Sequence, residues 1–343
     1  MTLRFTKELQ TAEFESPFNN FKKVQMVGEV RQCPITGYVS RLVPFRFKPL
    51  EEPDLTPLLK KSISLGCPFC PDAIPRKTTR FIEDFGVDEG RITKGEAVVF
   101  PNAFPYDKYS AVTVISRAHY VPPASFDPKR LLDAFLASQA YFVKIKEFES
   151  KVVYAYVNWN YMPQAGAGLV HPHFQLLVPS RPTHYHSRLI ESAERYYQIH
   201  KESIFEALLE DEKKEGHRYV GNSGDWEWLS AFAPRGNYEF WGILLDDLSV
   251  LDMEPRHLEE LSVGINRILR FFEEKNIHSY NMALYTYLEP FSPGYRHLVS
   301  LVPRMNLPPT GISDINYFDR LHGESLSFIP PEVAAEDLRR FFK

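Results

Sequence analysis

Asn160-Tyr-Met-Pro-Gln-Ala-Gly-Ala-Gly-Leu-Val-His171-Pro-His173-Phe-Gln175 places two imidazoles and a carboxamide directly after a glycine-rich turn. In an extended run His171, His173 and Gln175 project to one face, because strand side chains alternate with a period of two. Gly166 and Gly168 let the backbone approach an anion closely and present successive N–H donors, as phosphate-cradling turns do. Leu176, Leu177 and Val178 continue the run as an apolar segment, so the polar triplet borders a core strand, where stray histidines are less expected. The stretch reads as equipment for handling a phosphate.

The rest of the chain sets bounds on that reading. Its 343 residues, 44% hydrophobic and 24% charged, suffice for two domains or one large one without covalent staples. A formal charge of −4 without a basic stripe argues against nucleic acid or a membrane surface as partner. The start of the chain lacks the apolar core of a secretory signal, and no apolar stretch approaches the ~20 residues that span a bilayer, so a cytoplasmic protein is expected. The 3 cysteines cannot build a disulfide framework. Cys67-Pro-Phe-Cys70 reads either as half of a tetrahedral zinc site or as a packed pair, and Cys33 as a half-buried thiol. His119, following a strand at 112–116, and His171 are candidates for the two missing ligands.

Periodicity predicts strands near 24–32, 37–45, 96–101 and 110–116, a helix from Asp127 to Glu149, and strands over 151–158 and 170–178. The order then recurs, with strands over 228–234 and 240–245, a helix from about Pro255 to Lys275, and strands at 279–287 and 297–302. Phe104-Pro105 answers Ala233-Pro234, and Leu177-Val-Pro-Ser180 answers Leu301-Val-Pro-Arg304, which puts His297 opposite His173. Residues 186–217 read as a long connecting helix or a pair, and His184 and His186, two apart after Pro182, read as an exposed polar loop rather than as metal ligands. A last helix starts at Pro330-Pro331.

These motifs together resemble the galactose-1-phosphate uridylyltransferase and ADP-glucose phosphorylase branch of the histidine-triad-like superfamily. Arg31-Gln-Cys-Pro-Ile-Thr-Gly37 is similar to its N-terminal segment, with Cys33 in place of an aspartate, and Arg46 falls where the family has an arginine after the next strand. Cys67-Pro-Phe-Cys70, Phe100-Pro-Asn-Ala-Phe-Pro105, Ser116-Arg-Ala-His119 and the closing Pro330-Pro-Glu-Val-Ala-Ala-Glu-Asp-Leu-Arg339 also match, and the stretch from Asn160 to Gln175 matches almost throughout. Gly168 stands where the family has a serine.

The resemblance implies an α+β fold of two fused HIT-like halves, residues 1–185 and 186–343, each a largely antiparallel sheet with a packed helix. It implies zinc on Cys67, Cys70, His119 and His171, His173 as nucleophile, Gln175 on a phosphate oxygen, and Arg46, Asn102, Asn160, Gly166, Ala167 and Gly168 as substrate-binding residues. The expected reaction is nucleotidyl transfer through a nucleotidyl-histidine. Its partners would be a nucleoside-diphosphate sugar or dinucleoside polyphosphate and a phosphate or sugar phosphate, with a homodimer expected by the same resemblance. A phosphorylase using inorganic phosphate and a non-catalytic nucleotide-binding protein are the alternatives. A second metal is not expected in the C-terminal half, where Arg296-His297-Leu-Val-Ser300 offers a single histidine.

Overall fold

The computed structural model describes residues 3–290, 292–307 and 311–343. The first half of the chain forms strands β1 (Thr6–Ser16), β2 (Lys22–Gln32), β3 (Val39–Leu42), β4 (Ile92–Lys94), β5 (Ala97–Pro101), β6 (Ser110–Val114), β7 (Tyr154–Tyr161) and β8 (His173–Leu177). The second half adds β9 (Tyr219–Ser223), β10 (Trp226–Ser230), β11 (Phe240–Leu244), β12 (Tyr280–Tyr287), β13 (His297–Pro303), β14 (Asn306–Leu307), β15 (Ile312–Ser313) and β16 (Ser325–Ser327). The helices are α1 (Thr56–Ser64), α2 (Ile74–Lys77), α3 (Pro128–Phe148), α4 (His184–His200), α5 (Ile204–Glu215), α6 (Pro255–Glu274) and α7 (Pro331–Arg339).

Ten strands join in one sheet, in the order β4-β5-β6-β8-β7-β12-β13-β11-β10-β9. Read from either end, that order meets each half in the same sequence of elements, so the chain is a duplicated α+β unit fused at the antiparallel β7–β12 seam. α3 and α6 cover one face. Asp127 accepts the Arg130 N–H at 2.9 Å and Pro128 fills the first turn, which starts α3 where the sequence predicts it. α3 then lays Phe135 on Phe174 of β8, ring centroids 5.1 Å apart. Burying each such ring stabilises the fold by roughly 1.5–3 kcal/mol. α6 approaches even more closely, because a Cβ on Gly264 would lie 2.2 Å from the Trp228 ring.

The opposite face is divided. α4 and α5 cover its C-terminal part, where Leu189, Phe205 and Leu208 pack on Trp241, Ile243 and Leu298. Residues 186–217 are therefore a helix pair followed by the start of the next turn, broken at Lys201 in the left-handed region and restarted by the Ser203 cap. His186 lies inside α4 and is fully buried among tyrosine rings, not on an exposed loop. Over the N-terminal part lie Phe69, on the loop before α2, and Ile74 of α2, packed on Phe100, Val112 and Val114. Among the described residues, a cleft over β5, β6 and β8 is left open on this face.

Two readings of the repeat need correction. His173 pairs with Val114 and shares its face with Gln175, while Phe174 and Leu176 face α3. His297 pairs with Leu244 and shares its face with Val299 and Leu301, the face beneath α6. The tetrapeptide match is thus one residue out of step, and a one-residue slip moves a strand side chain to the other face. His297 is spent inside the core, with Nε2 bonded to Leu248 O at 2.6 Å and Nδ1 to Thr286 Oγ1 at 2.8 Å. The second correction is β9, an outer strand that the sequence reading passed over.

β1 and β2 form an antiparallel ribbon outside the main sheet, extended by β3 and then by β16 in parallel. β1 escapes sequence reading because nearly all of it is exposed and carries little apolar alternation. At the ribbon's end Arg31 makes two bonds to Glu332 of α7, at 2.7 and 3.1 Å, and Arg218 a third at 3.0 Å. Cys33 is buried rather than half-buried, and its Sγ accepts the Thr36 N–H at 3.4 Å.

Candidate active site

α1 ends at Ser64, and after Leu65 and Gly66 comes a tight turn in which Cys67 Sγ accepts the Phe69 N–H and Cys70 O accepts the amides of Ala73 and Ile74. The turn brings two thiols against two histidines from elsewhere in the chain. Cys70 Sγ lies 3.5 Å from His119 Nδ1 and 3.8 Å from His171 Nδ1, and Cys67 Sγ lies 3.6 Å from His171 Nδ1. Metal–sulfur and metal–nitrogen bonds of ~2.3 and ~2.0 Å at tetrahedral angles put S and N about 3.5 Å apart, so the spacing suits a metal ion. Both Nε2 atoms are engaged on the far side, His171 with Ser116 O at 2.7 Å and His119 with Ser62 Oγ at 2.8 Å. Ser62 gives its own hydrogen to Leu59 O. Each ring therefore carries its proton on Nε2 and turns the Nδ1 lone pair inward. Burial pulls His171 down to about 4 and, with the neighbouring Cys70, pushes the Cys67 thiol up to about 11. A cation would reverse the second effect by holding a thiolate.

A second cluster, Asp225, Asp246 and His257, does not read this way. Glu254 N–H donates to His257 Nδ1 at 3.0 Å, so Nε2 carries the hydrogen and points it at the carboxylates, 3.4 Å from Asp246 and 3.8 Å from Asp225.

His171 stands just before β8, outside the strand, so it does not share the face of His173 and Gln175. Pro172 separates it from the ladder, and its ring turns to the cysteines. His173 and Gln175 do face together into a cleft of about 540 Å³. His173 Nδ1 bonds to His171 O at 2.7 Å, which leaves the Nε2 lone pair toward the cleft, and burial lowers its proton affinity so that the ring is neutral. The other walls include Phe69, Lys77, Asn102, Phe104, Gly166 and Gly168.

The turn is less open than its glycines suggest. The Gly166 N–H is given to Pro163 O at 2.9 Å and the Ala167 N–H to Met162 O at 3.3 Å, and Ala167 is buried. Among the described residues, the Gly168 N–H is the one of the three without a protein acceptor. Gly166 has φ +94°, which only glycine adopts without strain. Asn160 lies on β7 beside the turn. Arg46 is not on the cleft wall, because its guanidinium lies 5.4 Å over the Phe328 ring instead.

Sequence reading missed Lys77, among the described residues the single cationic side chain on the wall, because an isolated lysine after a proline-rich passage carries no pattern. It also passed over Asn158, whose Nδ2 donates to Gln175 O at 3.2 Å. The alternation Asn158-Trp-Asn160 was its available signal, since both asparagines fall on the face opposite α3.

No protein-family model matches the chain. Over 341 residues it is 31% identical to an uncharacterized protein of Archaeoglobus fulgidus, with 99% of each chain covered. The structure of an ADP-glucose phosphorylase from Arabidopsis thaliana with bound ADP-glucose is similar at a TM-score of 0.70 and 17% identity, covering 91% of this chain and 98% of that one. A uridylyltransferase structure is similar at 0.67 and 16% identity, with the same 91% and 98% covered. The fold is accordingly the one that ADP-glucose phosphorylase and that uridylyltransferase share. Within that fold, the chain belongs to one family with the Archaeoglobus protein.

Proposed function

We propose that the protein is a nucleotidyltransferase that works through a nucleotidyl-histidine on His173, taking a nucleoside monophosphate from a nucleoside-diphosphate sugar and giving it to a phosphate oxygen of a sugar phosphate or of inorganic phosphate. The observation that carries the reading is the His173 ring, with Nδ1 held by His171 O at 2.7 Å and its other nitrogen turned into the cleft. Nε2 attacks the α-phosphorus, an Nε2–P bond forms, and the P–O bond to the sugar phosphate breaks, its electron pair leaving with that group. The ring then carries positive charge, which the His171 carbonyl stabilises through the Nδ1–H bond. An acceptor phosphate oxygen next attacks phosphorus and releases neutral His173.

Gln175, the Gly168 N–H and Lys77 are the groups that meet phosphoryl charge. Gln175 donates a hydrogen bond but cannot shuttle a proton, which favours transfer to phosphate over hydrolysis. The donor set on Cys67, Cys70, His119 and His171, two sulfurs and two nitrogens, suits zinc, which would fix the carbonyl that orients His173. Thiols used this way need a reducing compartment, in keeping with a cytoplasmic setting.

Intact-mass measurement after mixing the protein with ADP-glucose, UDP-glucose or a diadenosine polyphosphate tests the proposal. An acid-labile gain of one nucleotide is expected in the parent and none in His173→Asn. An unchanged adduct in that variant would move the nucleophile elsewhere.

A further inference from the structure

Asn281 belongs to β12 in the C-terminal half, yet its side chain ends on the glycine-rich turn of the N-terminal half. Its Nδ2 donates one hydrogen to Asn160 Oδ1 at 2.7 Å and the other to Ala165 O at 2.8 Å. The two asparagines are register partners across the β7–β12 seam. On the other side Asn281 Oδ1 accepts from Arg304 Nη1 at 3.4 Å, and Arg304 Nε donates to Asp314 Oδ1 at 3.2 Å. Asp314 is held in turn by the Met305 N–H at 2.9 Å.

A guanidinium only donates and a carboxylate only accepts, so the direction of every bond in this series is fixed from Asp314 outward. Asn281 turns its oxygen to Arg304 and its NH2 to Asn160. Asn160 accepts through Oδ1, and its own NH2 is left on the side of the turn, where Nδ2 lies 3.9 Å from the place a Gly166 Cβ would occupy. Among the described residues no protein acceptor takes that NH2. The turn itself is strained, since Met162 has φ 71° and ψ 155°, a region nearly reserved for glycine. Such strain persists only where the surroundings over-determine it. The Asn281 bond to Ala165 O is one of the restraints.

We propose that Asn281, oriented by Arg304 and Asp314, is a positioning residue that sets the Asn160 carboxamide as a hydrogen-bond donor to the phosphoryl oxygens of a nucleotide beside His173. This rests on the reading of His173 as nucleophile. The C-terminal half thereby acts on the chemistry through a side chain that does not itself line the cleft.

The test is Asn281→Asp, which keeps the shape and strengthens the pairing with Arg304 but cannot donate. Asn160 then gives its NH2 to the new carboxylate and presents its carbonyl oxygen to the phosphate. We expect some loss of melting temperature, because the bond to Ala165 O is lost here as it is in Asn281→Ala, and with it about a tenfold or greater fall in the rate of adduct formation from ADP-glucose or UDP-glucose and weaker calorimetric binding of AMP and UMP. Asn281→Ala should fall less, because Asn160 can still turn its NH2 to the ligand. An adduct rate in Asn281→Asp within about twofold of the parent overturns the role while leaving the nucleophile in place. If the parent forms no adduct, the nucleotidyl-histidine reading fails and calorimetry decides the positioning role. AMP and UMP bound equally by parent and Asn281→Asp, or by neither, overturns it.

Discussion

Phe69 stands edge-on to His173, ring centroids 5.1 Å apart, and it sits between Cys67 and Cys70 in the chain. The loop that gathers the thiols is therefore also a wall of the cleft, and the state of the cysteines reaches His173 through one aromatic contact and through the carbonyl of His171.

Removing the proposed metal ligands should for that reason disturb both stability and chemistry. Elemental analysis is expected to find about one zinc per chain in the parent and none in Cys67→Ser. Adduct formation should drop roughly 10–100-fold with it, the range seen when residues that orient a ligand are lost. Equal metal content in mutant and parent would remove the site.

Gly168 offers a gain rather than a loss. A Cβ there meets nothing within 4 Å, and its φ is not in the left-handed region, so Gly168→Ser should leave the melting temperature unchanged. Its hydroxyl adds a donor beside the Gly168 N–H, and AMP or UMP should bind about fivefold more tightly by calorimetry. Weaker binding would show that the space is the path of the ligand itself.

Glu332 gives a pH dependence. Burial works to raise its carboxyl, but Arg31 and Arg218 outweigh burial and hold it down, from the ordinary 4.5 to about 2. A depressed acid stabilises the fold above its unfolded value and loses that contribution as pH falls through the folded one, here between 4.5 and about 2. Breaking a fully buried pair costs about 3–5 kcal/mol, and Glu332 is 32% exposed, so Glu332→Gln should cost roughly 2 kcal/mol at neutral pH. Denaturant titrations should show the gap between parent and variant closing across that acid window. A constant gap would mean that the charge contributes nothing.

Much of the fold was legible because its signals are local. Asp127-Pro128 announces the start of α3, the apolar spacing of α3 and α6 marks two helices, and the recurring strand order marks a duplication. The candidate site was partly legible for the same reason, since Gly166, Gly168, His173 and Gln175 lie within one short run and meet in one cleft. β1 was not, because an exposed ribbon needs no apolar alternation. Nor was the place of Arg46, which the packing of Phe328 decides.

By itself the sequence determined the long helices α3 and α6, most inner strands and which side chains are chemically equipped, because backbone preference and apolar period act over a few residues. Tertiary structure alone decided that Cys67, Cys70, His119 and His171 converge, that His297 faces the core beneath α6, and that Asn281 reaches the turn before His173. The physical reason is pairing register. A strand's two faces are interchangeable until its neighbours are fixed, and a hydrogen bond between residues more than a hundred positions apart depends on the packing of the whole sheet rather than on spacing along the chain.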